Sequence, residues 1–267
     1  MEVNIKQGID DTISSKSQIF HEKTKDGIVL FEKDKFPRIT DSTYSPLMFN
    51  IINCSFLVKN DLNGFFSAIE PFVEFNQQKN IFTIEESKVN EFKKTISNAE
   101  ILKGIEMLEI MPANVGQDHQ GLLNAMGANT NSLMIKDNEG SLNLQNFNSK
   151  INKKFDITFS NNLLHDNESI EDENHSNVYR GMEIYAILSS LTKKNGYSIH
   201  CHGSYISSLY GSYFQFLGFK VVDYFRVETG PYNFGIILKK FNDKKITNEE
   251  FEYLYLELKK RNPIRYR

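Results

Sequence analysis

The sequence predicts an α/β protein built on a mostly parallel sheet that ends in an antiparallel hairpin. From Gly104 onward, short apolar runs alternate with segments of helical periodicity, the order expected of parallel strands with crossover helices. The last two apolar runs, 219–228 and 234–240, are joined by a short turn and must pair antiparallel. Before Gly104 the rhythm differs, so residues 1–100 are expected to form a cap or extension.

Composition limits the class of protein. Of 267 residues, 40% are hydrophobic and 24% charged, which is typical of a soluble globular chain with a sizeable core. A net charge of −3 gives no electrostatic footprint for nucleic acid. No apolar run reaches the roughly 18 residues of a membrane span, and the N-terminus has no signal-peptide pattern. We therefore expect a cytoplasmic protein whose two distant cysteines, Cys54 and Cys201, are reduced.

The N-terminal region contains four candidate elements. Residues 28–36 are compatible with a strand, and residues 65–69 with a short helix. The apolar stretch 47–58 fits a buried strand or a buried helix, because periodicity alone does not separate the two. Residues 85–102 have helical spacing of apolar residues, and Gly104 follows where that helix would end.

The elements after Gly104 alternate for the most part between strands and helices. Strands are predicted at 105–111, 132–136, 141–147 (weaker), 155–160, 197–201, 219–228 and 234–240. Helices are predicted at about 117–126, 177–193, 204–216 and, after a capping box formed by Thr247 and Glu250, at the C-terminus. The acidic stretch 165–176 is predicted to be a solvated loop.

Two stretches carry the functional signal. In 104–127 an apolar strand ends near Glu109, a turn of small residues follows, and then a helix begins. In 155–165 a second apolar strand ends in Ser160, Asn161 and Asn162. Polar residues after neighbouring parallel strands predict a ligand beyond the carboxyl ends of the sheet.

Over roughly residues 100–240 this order resembles the class I S-adenosylmethionine-dependent methyltransferases, whose fold is Rossmann-like. In that family the first strand ends in an acidic residue followed by a glycine-rich turn. The matching positions are Glu109, Met111, Ala113 and Gly116, so two of the family's glycines are replaced here. Such a turn brings backbone amides close to the cofactor's methionine carboxylate.

The resemblance also implies the remaining site residues. Asp137, or alternatively Glu139, takes the place of the acidic residue that holds the cofactor's ribose. The family's fourth-strand motif is matched by Asp156 within the strand and by Ser160, Asn161 and Asn162 after it. His165 lies beyond this motif and is the candidate general base, because histidine exchanges protons near neutral pH.

The implied activity is transfer of a carbon group from S-adenosylmethionine to a small-molecule or peptide acceptor. In size the chain also resembles the methyltransferase-like tailoring proteins of microcin C7-type antibiotic biosynthesis, where a 3-amino-3-carboxypropyl group is transferred and a partner protein can complete the reaction. The resemblance implies three parts: an acceptor-recognition cap (1–100), the cofactor-binding domain (101–243) and a helix packed on it (244–267).

Other readings are weaker. The missing glycines are compatible with a non-catalytic binding module, whereas a nicotinamide-dependent oxidoreductase would need a G-x-G-x-x-G turn that is absent. His200 and His202 would share one face of a strand with Cys201 on the other, which predicts no metal site. The sequence identifies no partner for His119 or His175.

Overall fold

A computed structural model describes the main elements of the chain. The described residues are 23–24, 27–32, 46–61, 67, 70–76, 81–84, 86–88, 91, 94–95, 100–112, 119–135, 152–160, 176–202, 209–226 and 234–261. None of the helices in these segments is long and apolar enough to cross a membrane.

The described residues of the N-terminal part form a small antiparallel sheet and a long helix. The strands are β1 (Lys23–Thr24), β2 (Gly27–Glu32), β3 (Val73–Asn76) and β4 (Ile81–Ile84), in the order β1-β2-β4-β3. Helix α1 spans Pro46–Lys59, which decides between the two structures compatible with the apolar stretch 47–58. Two 3₁₀ turns cover Glu70–Phe72 and Glu86–Lys88.

The larger sheet has six strands among the described residues. They are β5 (Glu106–Pro112), β6 (Asn129–Ile135), β7 (Phe155–Ser160), β8 (Thr192–His202), β9 (Phe219–Arg226) and β10 (Phe234–Lys240). The accompanying helices are α2 (His119–Ala125), α3 (Ser176–Leu191), α4 (Leu209–Phe216) and α5 (Asn248–Arg261). These bounds confirm the predicted order of strands and helices wherever the structure describes it.

The strand order is β6-β5-β7-β8-β10-β9. Strands β6, β5, β7 and β8 are parallel neighbours, and β10 pairs antiparallel with both β8 and β9. The predicted fold, a mostly parallel Rossmann-like sheet closed by an antiparallel hairpin, is therefore confirmed. From β5 the chain continues to β6 on one side of β5, and then crosses over to β7 on its other side. The boundary between β5 and β7 is therefore the topological switch point.

Apolar side chains cover both faces of this sheet. One core cluster joins α1 to the face that carries Met107, Phe159 and Ile199. The second joins α3, α4 and α5 to the face that carries Leu108 and Ile110. Alternate residues of one strand therefore serve two cores, which explains why the neighbouring residues Met107 and Leu108 of β5 are both apolar and buried.

Three local predictions can be compared with the structure. Thr247 and Glu250 form the predicted capping box, with Glu250 N–H donating to Thr247 Oγ1 (3.2 Å) and Thr247 N–H donating to Glu250 Oε2 (3.1 Å). Gly104 ends a turn with a φ of +83°. Strand β8 starts at Thr192, directly after α3, and not at residue 197 as predicted.

Some predicted elements fall outside the described residues. The weak strand at 141–147 and the acidic loop at 165–175 belong here, as does nearly all of the short helix at 65–69. Of the helix predicted at 85–102, the described residues 91, 94 and 95 are helical, whereas residues 86–88 form a 3₁₀ turn and residues 100–102 form a turn.

Candidate functional site

The candidate site lies at the carboxyl ends of β5 and β7. Their register sets Glu109 opposite Phe159 and Ile110 opposite Ser160. Met111 belongs to β5 and pairs with Met134 of β6. The other predicted site residues, Ala113, Gly116, Asp137, Asn161, Asn162 and His165, lie outside the described residues.

Glu109 is the most unusual side chain of the site. It is only 1% exposed, although it carries a carboxyl group. Its Oε2 atom is buried and has no hydrogen-bond partner among the described residues. Burying an unsatisfied polar atom costs about 1–3 kcal/mol, and more when the group is charged. A site that holds such an oxygen is suited to a ligand that donates a hydrogen bond to it.

The second carboxylate oxygen of Glu109 contacts His119. Nδ1 of His119 lies 2.7 Å from Oε1, and the imidazole side chain is 11% exposed. Because an ionised carboxylate can only accept, Nδ1–H is the donor, which leaves Nε2 of a neutral ring as an acceptor. The edge of the ring also packs against Phe159, with 6.3 Å between centroids.

His119 is the residue that sequence reasoning missed. It is the first residue of α2, and Glu109 stands near the end of β5, so the two flank the same strand–helix connection. The ends of one connection lie close in space even when ten residues separate them. That relation was a usable signal for pairing the two side chains.

Ser160 occupies the opposite face of the sheet. Its hydroxyl lies 2.8 Å from Nδ1 of His200 on β8, and both residues are buried. Glu109 and Ser160 therefore flank the switch point from two faces, one through β5 and the other through β7. Sequence placed Ser160 at the site but did not link it to His200.

Asp156, which was matched to the family's fourth-strand motif, stands at the other end of β7. Its Oδ2 accepts from Glu106 N–H (2.9 Å), and its Oδ1 accepts from Lys193 Nζ (2.9 Å). These contacts tie the beginnings of β5 and β8 to β7. Asp156 is thus a structural residue at the amino ends of the strands, remote from the carboxyl-end site.

Successive side chains of β8, the strand that carries His200, point to opposite faces of the sheet, as predicted. His200 packs edge-on against Tyr185 of α3, at 5.2 Å between centroids, whereas Cys201 belongs to the core cluster on the other face. Cys54 and Cys201 are both buried free thiols. Within the described segments, no group of three or more histidine, cysteine or acidic residues is arranged to hold a metal ion.

The chain matches no protein-family model. It also matches no curated protein. Similar solved structures include an S-adenosylmethionine-dependent methyltransferase from Clostridium acetobutylicum, which is 10% identical with a TM-score of 0.34; the match covers 69% of this chain and 99% of that one. Magnesium protoporphyrin IX methyltransferase from Synechocystis, solved with bound SAH, is also 10% identical, with a TM-score of 0.34 and coverages of 71% and 98%.

An O-methyltransferase family protein from Burkholderia thailandensis is 10% identical, with a TM-score of 0.33; the match covers 82% of this chain and 81% of that one. Likenesses at such identities and TM-scores carry no argument about what this chain does. The function has to be inferred from the side chains at the switch point itself.

Proposed function

We propose that this protein is an S-adenosylmethionine-dependent transferase that moves a carbon group to a small-molecule or peptide acceptor. The observation that carries the proposal is the buried carboxylate of Glu109 at the switch point, with Oε2 left without a partner. The α-ammonium of S-adenosylmethionine is a charged donor of the kind that this oxygen can accept. Charge-assisted hydrogen bonds of this type are stronger than neutral ones.

His119 is the positioning residue for Glu109 in this proposal. By donating to Oε1 at 2.7 Å, the imidazole fixes the rotamer of the carboxylate and leaves Oε2 for the ligand. The turn that contains Met111, Ala113 and Gly116 would hold the methionine carboxylate, and Asp137 the ribose. Ser160, Asn161 and Asn162 would contact the ligand from the end of β7.

When bound, the sulfonium supplies an already activated carbon, so the protein mainly aligns the acceptor and excludes water. A neutral amine or hydroxyl acceptor must lose its proton as the new bond forms, and we assign His165 as the base that takes it. Transfer of methyl would leave S-adenosylhomocysteine. Transfer of the 3-amino-3-carboxypropyl arm, as in peptide-nucleotide antibiotic tailoring, would leave methylthioadenosine.

Residues 1–100 are proposed to contribute to acceptor recognition. Helix α1 packs against the sheet on the face that carries Glu109 and Phe159. In this helix Asn53 is 1% exposed, and neither atom of its amide has a partner among the described residues. A buried amide with an open donor and an open acceptor fits a ligand that offers both.

Calorimetric titration tests the proposal directly. The full chain is titrated with S-adenosylmethionine, S-adenosylhomocysteine, methylthioadenosine and NADH. Saturable micromolar binding of the sulfonium compound or its products is expected, without binding of NADH. Tighter binding of methylthioadenosine than of S-adenosylhomocysteine would favour aminocarboxypropyl transfer. A folded sample that binds none of the four would contradict the proposal and favour a binding module.

The base assignment has its own test. His165→Gln is expected to retain binding of S-adenosylhomocysteine and to lose turnover with a neutral amine or hydroxyl acceptor. Turnover at the wild-type rate with such an acceptor would refute the role of His165.

A further inference from the structure

A chain of buried hydrogen bonds runs from Ser160 into the interior of the protein. It passes from Ser160 to His200 (2.8 Å) and from His200 to Ser198 (2.6 Å). It continues from Ser198 to Thr158 (2.7 Å) and from Thr158 to Thr192 (2.9 Å). All five side chains are at most 3% exposed.

The inner end of the chain is a backbone carbonyl. Thr192 Oγ1 donates to Leu188 O at 2.7 Å. Leu188 lies in the last turn of helix α3, four residues before Thr192, and threonine hydroxyls commonly bond the i−4 carbonyl in this way. Because a carbonyl can only accept, the single hydroxyl proton of Thr192 is committed to it.

This commitment fixes the direction of every other bond in the chain. With its proton used, Thr192 accepts from Thr158, and Thr158 in turn accepts from Ser198. Ser198 has then used its own proton, so its 2.6 Å contact with His200 requires a proton on Nε2. A neutral His200 is therefore the Nε2–H tautomer, and its unprotonated Nδ1 accepts from Ser160.

The consequence appears at the outer end. Ser160 donates its only hydroxyl proton to His200. Toward any other group, the Ser160 oxygen can therefore only accept a hydrogen bond. The edge-on packing of Tyr185 on His200, with an interplanar angle of 86°, holds the imidazole in the orientation that this requires.

We propose that Ser160 accepts a hydrogen bond from an N–H or O–H group of the bound S-adenosyl ligand, and that His200 is the positioning residue that sets this polarity. The inference rests on the proposed function for the identity of the ligand. It adds that the end of β7 is an acceptor site, matched to the acceptor Oε2 of Glu109 across the switch point. Carboxylates and phosphates, which cannot donate when ionised, are disfavoured there.

The donor–acceptor direction of these hydrogen bonds can be tested without any ligand. In the full chain with ¹⁵N-labelled histidine, the His200 resonances are identified by their loss in a His200→Asn variant. We expect the pattern of a neutral ring that is protonated at Nε2 and accepts a hydrogen bond at Nδ1. A neutral ring with its proton on Nδ1 would overturn the proposal.

The ligand contact is tested with S-adenosylhomocysteine as the probe. Ser160→Ala should weaken binding about fivefold, the loss expected for one neutral hydrogen bond. The Nδ1 resonance of His200 should also shift on saturation, because a donor on Ser160 strengthens the bond that Ser160 makes.

Two His200 variants separate positioning from a purely structural role. Asparagine places a carbonyl oxygen near Nδ1 and can still accept from Ser160, whereas glutamine places its amide near Nε2 and keeps the bond to Ser198. His200→Asn should bind the probe nearly as well as wild type, and His200→Gln should resemble Ser160→Ala. If His200 had only a structural role, the affinity of each variant for S-adenosylhomocysteine would instead decrease in parallel with its free energy of unfolding.

The outcomes distinguish this inference from the proposed function. If the wild-type protein binds S-adenosylhomocysteine and Ser160→Ala binds it equally well, only the proposed role of Ser160 is overturned. A wild-type protein that does not bind S-adenosylhomocysteine would overturn both.

Discussion

Glu109 is buried with only one of its two carboxylate oxygens satisfied by the protein. Such an arrangement lowers the free energy of unfolding, since the unpaired oxygen has lost its water and gained nothing in return. Groups that cost stability in the free protein are common at binding sites, where a ligand supplies the missing partner. The two properties, stability and affinity, should therefore respond to substitution in opposite directions.

We predict that Glu109→Gln weakens binding of S-adenosylmethionine roughly 10- to 100-fold, the loss of a charge-assisted hydrogen bond. The glutamine carbonyl can still accept from His119, and no charge is buried, so the free energy of unfolding should stay equal or rise by about 1 kcal/mol. Calorimetric titration and urea denaturation measure the two quantities.

Glu106→Gln is the matched control. Glu106 begins the same strand, and its carboxylate accepts from Lys153 at 2.5 Å and from Asn129 at 2.9 Å. The same chemical change at the amino end of β5 should leave affinity unaltered. Equal losses of affinity in both variants would argue against a local role for Glu109.

At the scale of elements, the β7–β8 pairing depends on a close backbone approach. The register shifts between Phe155 and Ile157, and Asn195 adopts a φ of +67° just before Gly196. A Cβ at residue 196 would lie 2.5 Å from the carbonyl oxygen of Asp156. This irregularity lets β8 begin directly after α3 and still bring Ser198 and His200 level with Thr158 and Ser160.

Gly196→Ala is predicted to destabilise the protein by about 3 kcal/mol, because backbone atoms must move to admit the methyl group. Gly104→Ala is the comparison, since residue 104 has a φ of +83° but nothing within 4 Å of its Cβ position. Only left-handed backbone strain applies there, at roughly 1–2 kcal/mol. Urea denaturation of both variants measures the difference, and a cost at Gly196 no larger than at Gly104 would refute the close-approach explanation.

At the scale of the whole molecule, one buried amine couples stability to pH. Lys240 is fully buried and donates to Ser189 Oγ and to Leu217 O (2.6 Å). Burial, with nearby Lys154 contributing, lowers the pKa of Lys240 from 10.5 to about 8. Between these values the unfolded chain binds more protons than the folded one, so this group makes stability rise with pH.

Lys240→Met removes that dependence. We predict that the unfolding free energy of wild type, measured relative to this variant, increases by about 2 kcal/mol from pH 7 to pH 9.5. Below pH 8 the difference should become nearly constant. Burial raises the pKa of Cys54 and of Cys201 and opposes the trend at high pH, but both thiols are present in each protein and cancel in the difference. A difference that does not vary with pH would contradict the assignment.

Much of the architecture was predictable because it depends on local sequence patterns. Apolar runs, glycine at residue 104 and the capping box at Thr247 and Glu250 each depend on neighbours in sequence. The pairing of the last two strands followed from the shortness of the turn between them. The apolar stretch 47–58 was undecidable in the same terms, because a buried helix and a buried strand have similar compositions.

Sequence alone determined the α/β class, the antiparallel end of the sheet and the placement of Ser160 at the end of its strand, with Glu109 inside the neighbouring strand. Only the tertiary structure decided which side chains meet there. It paired Glu109 with His119, joined Ser160 to His200 and showed that Asp156 binds Glu106 N–H and Lys193 at the amino ends of the strands. The physical reason is that periodicity specifies the face of a strand, whereas a hydrogen bond also requires the register between strands and the exact course of the connections.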